Sequence, residues 1–149
     1  MIHGNADDSA RWYSLTLHGF SYRLSDHFII GEMASRDGND LLLVHPALIE
    51  GLELLRNRLG SPLHINSAFR TKSHNEAIQI ASDPKYVPGS SRSRHLYGLA
   101  ADVVCRNVKP DDVARIANEM GFGGVGSYNS FTHIDVSRAS RRWDNRTNA

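Results

Sequence analysis

Cysteine is almost absent from this chain. Cys105 is the only one in 149 residues, so no internal disulfide framework can staple the fold. Long apolar runs are absent too; none approaches the roughly 20 residues that cross a bilayer. The start, Met1 to Ala10, is polar and carries Asp7 and Asp8, which is unlike a secretory signal and implies synthesis in the cytoplasm. Charge of one sign is missing as well. Seventeen Lys and Arg against sixteen Asp and Glu leave a formal +1, so no strong field steers the protein to nucleic acid or to an anionic membrane. There is no internal repeat, no heptad pattern and no long low-complexity linker. What is present is one domain's worth of residues, expected to act as a monomer, with an excess of histidine: eight in the chain.

Element signals are strongest in the middle of the chain. Leu48, Ile49, Leu52, Leu55 and Leu59 recur at helical spacing behind Pro46, which predicts a helix over 46–59 stopped by Gly60 and Pro62. Leu63 to Ser67 reads as a strand. Ser73 followed by Glu76 matches a capping box and opens a second helix. Residues 82–94, with Pro84, Pro88, Gly89 and four serines, read as a loop. Leu99 to Val104 is a buried strand. A third helix opens at Pro110-Asp111-Asp112, lines Val113, Ile116, Ala117 and Met120 along one face, and ends at Gly121. Gly123–Tyr128 and Phe131–Val136 form a hairpin about Asn129-Ser130. Weaker signals suggest a strand around Tyr13–Leu17 and a short element between Ser25 and Met33. The tail from Ser137, with Arg138, Arg141, Arg142 and Arg146, is expected to fray. The class is α+β: a single domain with a small antiparallel or mixed sheet packed by helices. Residues 1–24 read as an N-terminal extension, 25–144 as the domain and 145–149 as a tail.

Three residues draw attention: His95, Asp102 and His133. Asp102 lies inside an apolar strand, where a carboxylate is costly unless a metal or a cation compensates it. Strand alternation puts His133 and Asp135 on one face and Thr132 and Ile134 on the other. Two imidazoles and a carboxylate with an open fourth position suit a catalytic zinc. The alternative is Asp102 paired with Arg70 or Arg94, beside two unrelated histidines. Spacing leaves both open.

The run Ser93-Arg94-His95-Leu96-Tyr97-Gly98-Leu99-Ala100-Ala101-Asp102 resembles the S-x-H-x-x-G-x-A-x-D signature of the zinc D-alanyl-D-alanine peptidases. That group shares its fold with the Hedgehog signalling domain and includes phage endolysins and bacterial cell-wall endopeptidases. Phe131 to Asp135 is similar to its closing H-x-D element, and Ser67 to Thr71 to the segment whose arginine faces the substrate. Glu32-Met33, Arg36-Asp37-Gly38, the run Gly123 to Gly126 and Tyr128 extend the likeness over about residues 25–144. The resemblance implies one zinc per chain, held by His95, Asp102 and His133. It implies hydrolysis of peptide bonds in peptidoglycan stem peptides or cross-links, by endopeptidase or D,D-carboxypeptidase action. Arg70 would grip a substrate carboxylate, with Ser93 and Asn75 as further donors; a structural Arg–Asp pair is the other reading of Arg70.

One departure matters. Many members of the group carry Glu or Asp three residues before the last histidine, and here that position is Ser130, which cannot act as a base. Asp135 is the nearest carboxylate and is the expected general base; orienting a zinc histidine is its other reading. The same departure keeps open a non-catalytic, zinc-stabilised module that binds the cell wall. Without a secretory signal, access to the wall would suit a phage lysin or a virion-borne enzyme. His3, His18, His27 and His45 read as surface or packing residues. His64 and His74 are candidates for lining the cleft, with solvated positions as the alternative. Trp12 and Trp143 read as core or edge residues, and Cys105 as a buried thiol.

Overall fold

A computed structural model describes residues 9–147; His3 lies outside the described residues. Chain order is β1 (Arg11–Ser14), α1 (Leu15–His18), α2 (Ile30–Met33), β2 (Leu41–Val44), α3 (Pro46–Leu59), β3 (Leu63–Ser67) and α4 (Lys72–Ser82). A 3-10 turn (Arg94–Tyr97), β4 (Ala100–Cys105), α5 (Pro110–Met120), β5 (Gly124–Ser127), β6 (Thr132–Asp135) and β7 (Arg141–Asp144) follow. The main sheet runs β3-β4-β6-β5-β7, and β1 with β2 forms a small second sheet. Every neighbouring pair is antiparallel except β5 and β7, which run parallel. The fold is therefore α+β with a mixed sheet.

The three long helices follow from local rules. Pro46 occupies the first turn of α3, and Gly60 ends it in the left-handed region at φ 68°, a conformation glycine adopts without a Cβ clash. His45, read as surface or packing, caps this helix: its Nδ1 accepts from Ala47 N at 3.0 Å. The first turn of α4 differs from the capping-box expectation. Its cap is Thr71, whose Oγ1 accepts from His74 N at 3.1 Å. Glu76 instead accepts from the Tyr86 hydroxyl and from Gly89 N, pinning the loop that follows.

Two end segments also depart from expectation. The strand expected at Tyr13–Leu17 breaks at Ser14, whose Oγ accepts from Leu17 N at 3.1 Å and starts a turn of helix. Through the β1–β2 pairing, the extension from residue 11 onward joins the same body. The tail expected to fray supplies β7, laid against β5.

Alternation sorts the sheet into two faces. Ile65, Val103, Ile134 and Val125 are buried in the core with Leu52 and Leu55 of α3 and Val113 and Ala117 of α5. Register sorts the other face. Asp102 stands opposite both Ser67 and His133; His133 stands opposite Gly126, and Gly126 opposite Trp143. A second row runs Ala100, Asp135, Gly124, Arg141. The site grows from these two rows.

Candidate metal centre

Asp102 and His133 meet because they are cross-strand partners on β4 and β6. His95 joins them from the 3-10 turn, which Ser93 caps through its Oγ and which Gly98 ends at φ 71°. A Cβ at Gly98 would fall 2.5 Å from the Leu43 carbonyl oxygen, so only glycine lets this turn close against β2. One ligand atom from each of His95, Asp102 and His133 lies within 4.8 Å of the others, and all three residues are buried.

Tautomers follow from the partners. His95 Nδ1 faces the Ala68 carbonyl at 2.6 Å; a carbonyl only accepts, so Nδ1 carries the hydrogen and Nε2 is bare. His133 Nε2 donates to Asp135 Oδ2 at 2.8 Å, which turns Nδ1 inward. Both inner nitrogens point at Asp102 Oδ1, at 3.3 Å from His95 and 3.0 Å from His133. Three potential ligand atoms converge on one buried point at the wall of the cleft, where a cation among them would compensate the Asp102 charge. The outward nitrogens are tied to a carbonyl and a carboxylate, the usual support of metal-binding histidines. The donor set fits zinc.

Electrostatics set the two rings apart. Burial pushes the His95 imidazolium down, more than Asp102 beside it raises it, so this ring stays neutral. Burial also works against the His133 imidazolium, but hydrogen bonds to Asp102 and Asp135 outweigh it and raise its pKa. For Asp102, burial opposes ionisation, yet His95 and His133 hold the carboxyl well below the usual range. Asp135 behaves the same way, held down chiefly by His133 and Ser137 against its burial.

These directions set the acid stability of the zinc-free protein. The contribution of Asp102 and Asp135 is complete above the ordinary carboxylate value of about 4 and is lost as pH falls through and below it. The raised His133 adds stability that is complete below about 6.5 and fades as pH rises above it, while the lowered His95 costs stability increasingly as pH falls below about 6.5. The expected Tm of chelated protein is highest near about pH 6.5, declines gradually toward about pH 5 as the unfolded chain takes up the proton that His95 refuses, and drops steeply below about pH 4. A Tm that stays level from about pH 6.5 to about pH 5 would contradict the lowered His95.

Arg70 forms the structural Arg–Asp pair that the sequence offered as one of its two readings. Its Nη2 pairs with Asp102 Oδ2 at 3.1 Å, Nε donates to Ser67 Oγ and Nη1 to Asn75 Oδ1. The guanidinium still lines the cleft, with two of its five N–H groups unaccounted for by these bonds. Asn75 does not line the cleft. It is 1% exposed and braces Arg70 with Oδ1 while Nδ2 donates to Ser91 Oγ at 2.9 Å. Asn75→Ala is expected to lower stability by about 1–3 kcal/mol, because it strands part-buried groups at both ends. An unchanged urea midpoint would refute that bracing role.

Asp135 lies on the far side of His133 from Asp102, fully buried. Its Oδ1 accepts from Ser137 N and Oγ, and its Oδ2 accepts from His133 and from Arg141 Nη2 at 2.6 Å. A base must reach a water on the open side of the triangle. This carboxylate is saturated behind the ring and does not line the cleft, which is the arrangement of its other reading, the orientation of a zinc histidine. Ser93 lines the cleft beside His95.

The cleft itself holds about 840 Å³. Arg70, Arg92, Arg94 and Arg141 line it, against Asp83 and Asp102. Tyr128, stacked on Phe131 at 4.3 Å, and Trp143 give it an aromatic wall. Trp143 approaches His133 at 4.8 Å between ring centroids and donates from Nε1 to Tyr128 Oη at 3.0 Å. Sequence reasoning missed Trp143 and Arg141 as site residues. The signal was the alternation of Gly124 and Gly126, because two glycines on one strand face let a neighbour's side chains cross over. His64 is exposed on β3, His74 does not line the cleft, and Cys105 is buried in the core.

A family model described as Peptidase M15 matches residues 25–135. Similar curated proteins include the peptidoglycan L,D-endopeptidase MepK of Escherichia coli strain K12 and that of Shigella flexneri. Each is 28% identical over 109 residues, covering 70% of this chain and 57% of the relative. The chain thus spans a little over half the length of the curated relatives it matches.

Proposed function

Because the chain belongs to the peptidase M15 family, we propose that it is a zinc metallopeptidase that hydrolyses peptide bonds in peptidoglycan stem peptides or cross-links. The observation that carries this reading is the buried His95–Asp102–His133 triangle, with both inner nitrogens turned to Asp102 and both outer ones anchored. His95 Nε2, one Asp102 oxygen and His133 Nδ1 would hold one zinc ion. Bound there, zinc polarises a scissile carbonyl and lowers the pKa of water toward about 7.

The protein's own groups do the rest. Arg70 keeps Asp102 in place and presents its remaining N–H groups to a substrate carboxylate, which a guanidinium matches well. Four arginines around the cleft favour an acidic peptide, and stem peptides carry free carboxylates. The Ser93 hydroxyl supplies a further polar contact. The Tyr128 hydroxyl, which accepts from Trp143, keeps its own hydrogen for the cleft. Asp135 is a positioning residue that orients His133.

A second reading, a zinc-stabilised module that binds the wall without cutting it, draws support from Ser130 and from the burial of Asp135. One experiment separates the two. Purified protein incubated with cell-wall sacculi is expected to release new amine termini, to stop with chelator and to recover with zinc. Binding without new termini at full zinc occupancy would overturn the enzyme in favour of the module.

A further inference from the structure

Arg141 sits two strands away from β6, yet its side chain ends against the metal centre. In the sheet register Asp135 stands opposite Gly124, and Gly124 opposite Arg141. Adjacent strands are about 4.8 Å apart, so the Arg141 and Asp135 side chains together bridge about 10 Å of sheet. It passes over Gly124, where a Cβ would fall 2.1 Å from Asp135 Oδ2. The crossing ends with Arg141 Nη2 donating to Asp135 Oδ2 at 2.6 Å. That oxygen also accepts from His133 Nε2 at 2.8 Å, while the other oxygen is taken by Ser137.

Asp135 is fully buried, and a carboxylate withdrawn from water needs a cation beside it. Among the described residues its ion-pair partners are His133 and Arg141. His133 turns its other nitrogen to Asp102, so Arg141 is the partner outside the triangle. The same strand lays Trp143 against the His133 ring, with the Arg141 guanidinium 5.3 Å above the indole. We propose that Arg141 is a positioning residue of the metal centre: it supplies the counter-charge for Asp135 and aims Oδ2 at His133 Nε2, which fixes the ring with bare Nδ1 toward the ion. The inference rests on the zinc reading above and assigns to β7 a part in metal affinity.

The test is zinc affinity, measured by competition with a chromogenic chelator, for wild type, Arg141→Gln, Arg141→Lys, Asp135→Asn and the Asp135→Asn/Arg141→Gln double variant. Arg141→Gln is expected to weaken zinc by about 10- to 100-fold, the usual effect of removing support behind a metal ligand. In the Asp135→Asn background the same change is expected to cost nothing further, because the carboxylate through which Arg141 acts is gone. Arg141→Lys is expected to stay close to wild type, since the contact is a single N–H to one oxygen. Wild-type affinity in Arg141→Gln would overturn the proposal, and so would an equal loss in the Asp135→Asn background, which would mean that Arg141 only holds the strand. If Arg141→Gln does not fold, Arg141→Lys decides: affinity near wild type supports the role, and a loss of about 10-fold or more overturns it. Failure of the wild type to bind zinc would refute the zinc reading itself, a result distinct from all of these.

Discussion

Asp102→Ala is expected to abolish zinc binding and cleavage and to destabilise even the chelated protein by about 3–5 kcal/mol, the cost of breaking a buried ion pair by removing one partner. Asp102 stands at the centre of three groups: Oδ2 pairs with Arg70, and Oδ1 lies 3.3 Å from His95 Nε2 and 3.0 Å from His133 Nδ1. Its side chain is 9% exposed and that of Arg70 12%, so water does little to screen their attraction. Without the carboxylate, Arg70 remains a buried guanidinium with no counter-charge. Asp102→Asn is the milder companion, because the amide keeps the shape and one acceptor. The measurement is urea unfolding of wild type and Asp102→Ala in chelator, so that lost metal is not counted. Equal midpoints would show that the Asp102–Arg70 pair is structurally idle.

Gly124→Ala should have the second largest effect, although it adds one methyl group. The added Cβ would sit 2.1 Å from Asp135 Oδ2 and 2.5 Å from its Cγ. That carboxyl group cannot step aside, since His133, Ser137 and Arg141 fix it from three directions. Either β5 shifts or Asp135 moves off His133. Overpacking of this kind costs about 1–3 kcal/mol, and loss of the support behind His133 lowers zinc affinity by about 10- to 100-fold. Gly60→Ala is the control. Its Cβ would meet nothing within 4 Å, so it carries the cost of a positive φ alone and leaves zinc affinity unchanged. Wild-type zinc affinity in Gly124→Ala would show that Asp135 is free to move.

Legibility in the sequence followed how local each feature is. The helix Pro46–Leu59, the strand Leu63–Ser67 and the helix Pro110–Met120 have the bounds read from apolar periodicity, proline and glycine. Each is specified within its own residues. The α+β class with an antiparallel or mixed sheet was legible in the closing hairpin, though not which of the two. Alternation also placed His133 and Asp135 on one face, and register made Asp102 the partner of His133. Features decided across the sheet were not legible. β7 is four residues long and polar, with alternating exposure, and its parallel pairing to β5 depends on distant chain. Asn75 stands among polar neighbours in α4, with no periodic sign of its burial. The role of Asp135 turns on what crosses Gly124 from two strands away. Trp143 belongs to the cleft for the same reason, through the space left by Gly126.

The near-neutral chain gains meaning from the cleft. Arginines gather at the site while the whole molecule carries +1, so attraction to an acidic substrate is local rather than a property of the surface.

Elemental analysis of the purified protein beside His95→Ala tests the central claim most directly. His95 can be removed without stranding a charge, since its outer nitrogen only donates to the Ala68 carbonyl. The account predicts one zinc per chain in the wild type and a sharp loss in the variant, with the fold retained. Zinc absent from the wild type after incubation with the metal, or bound equally by both proteins, would contradict it.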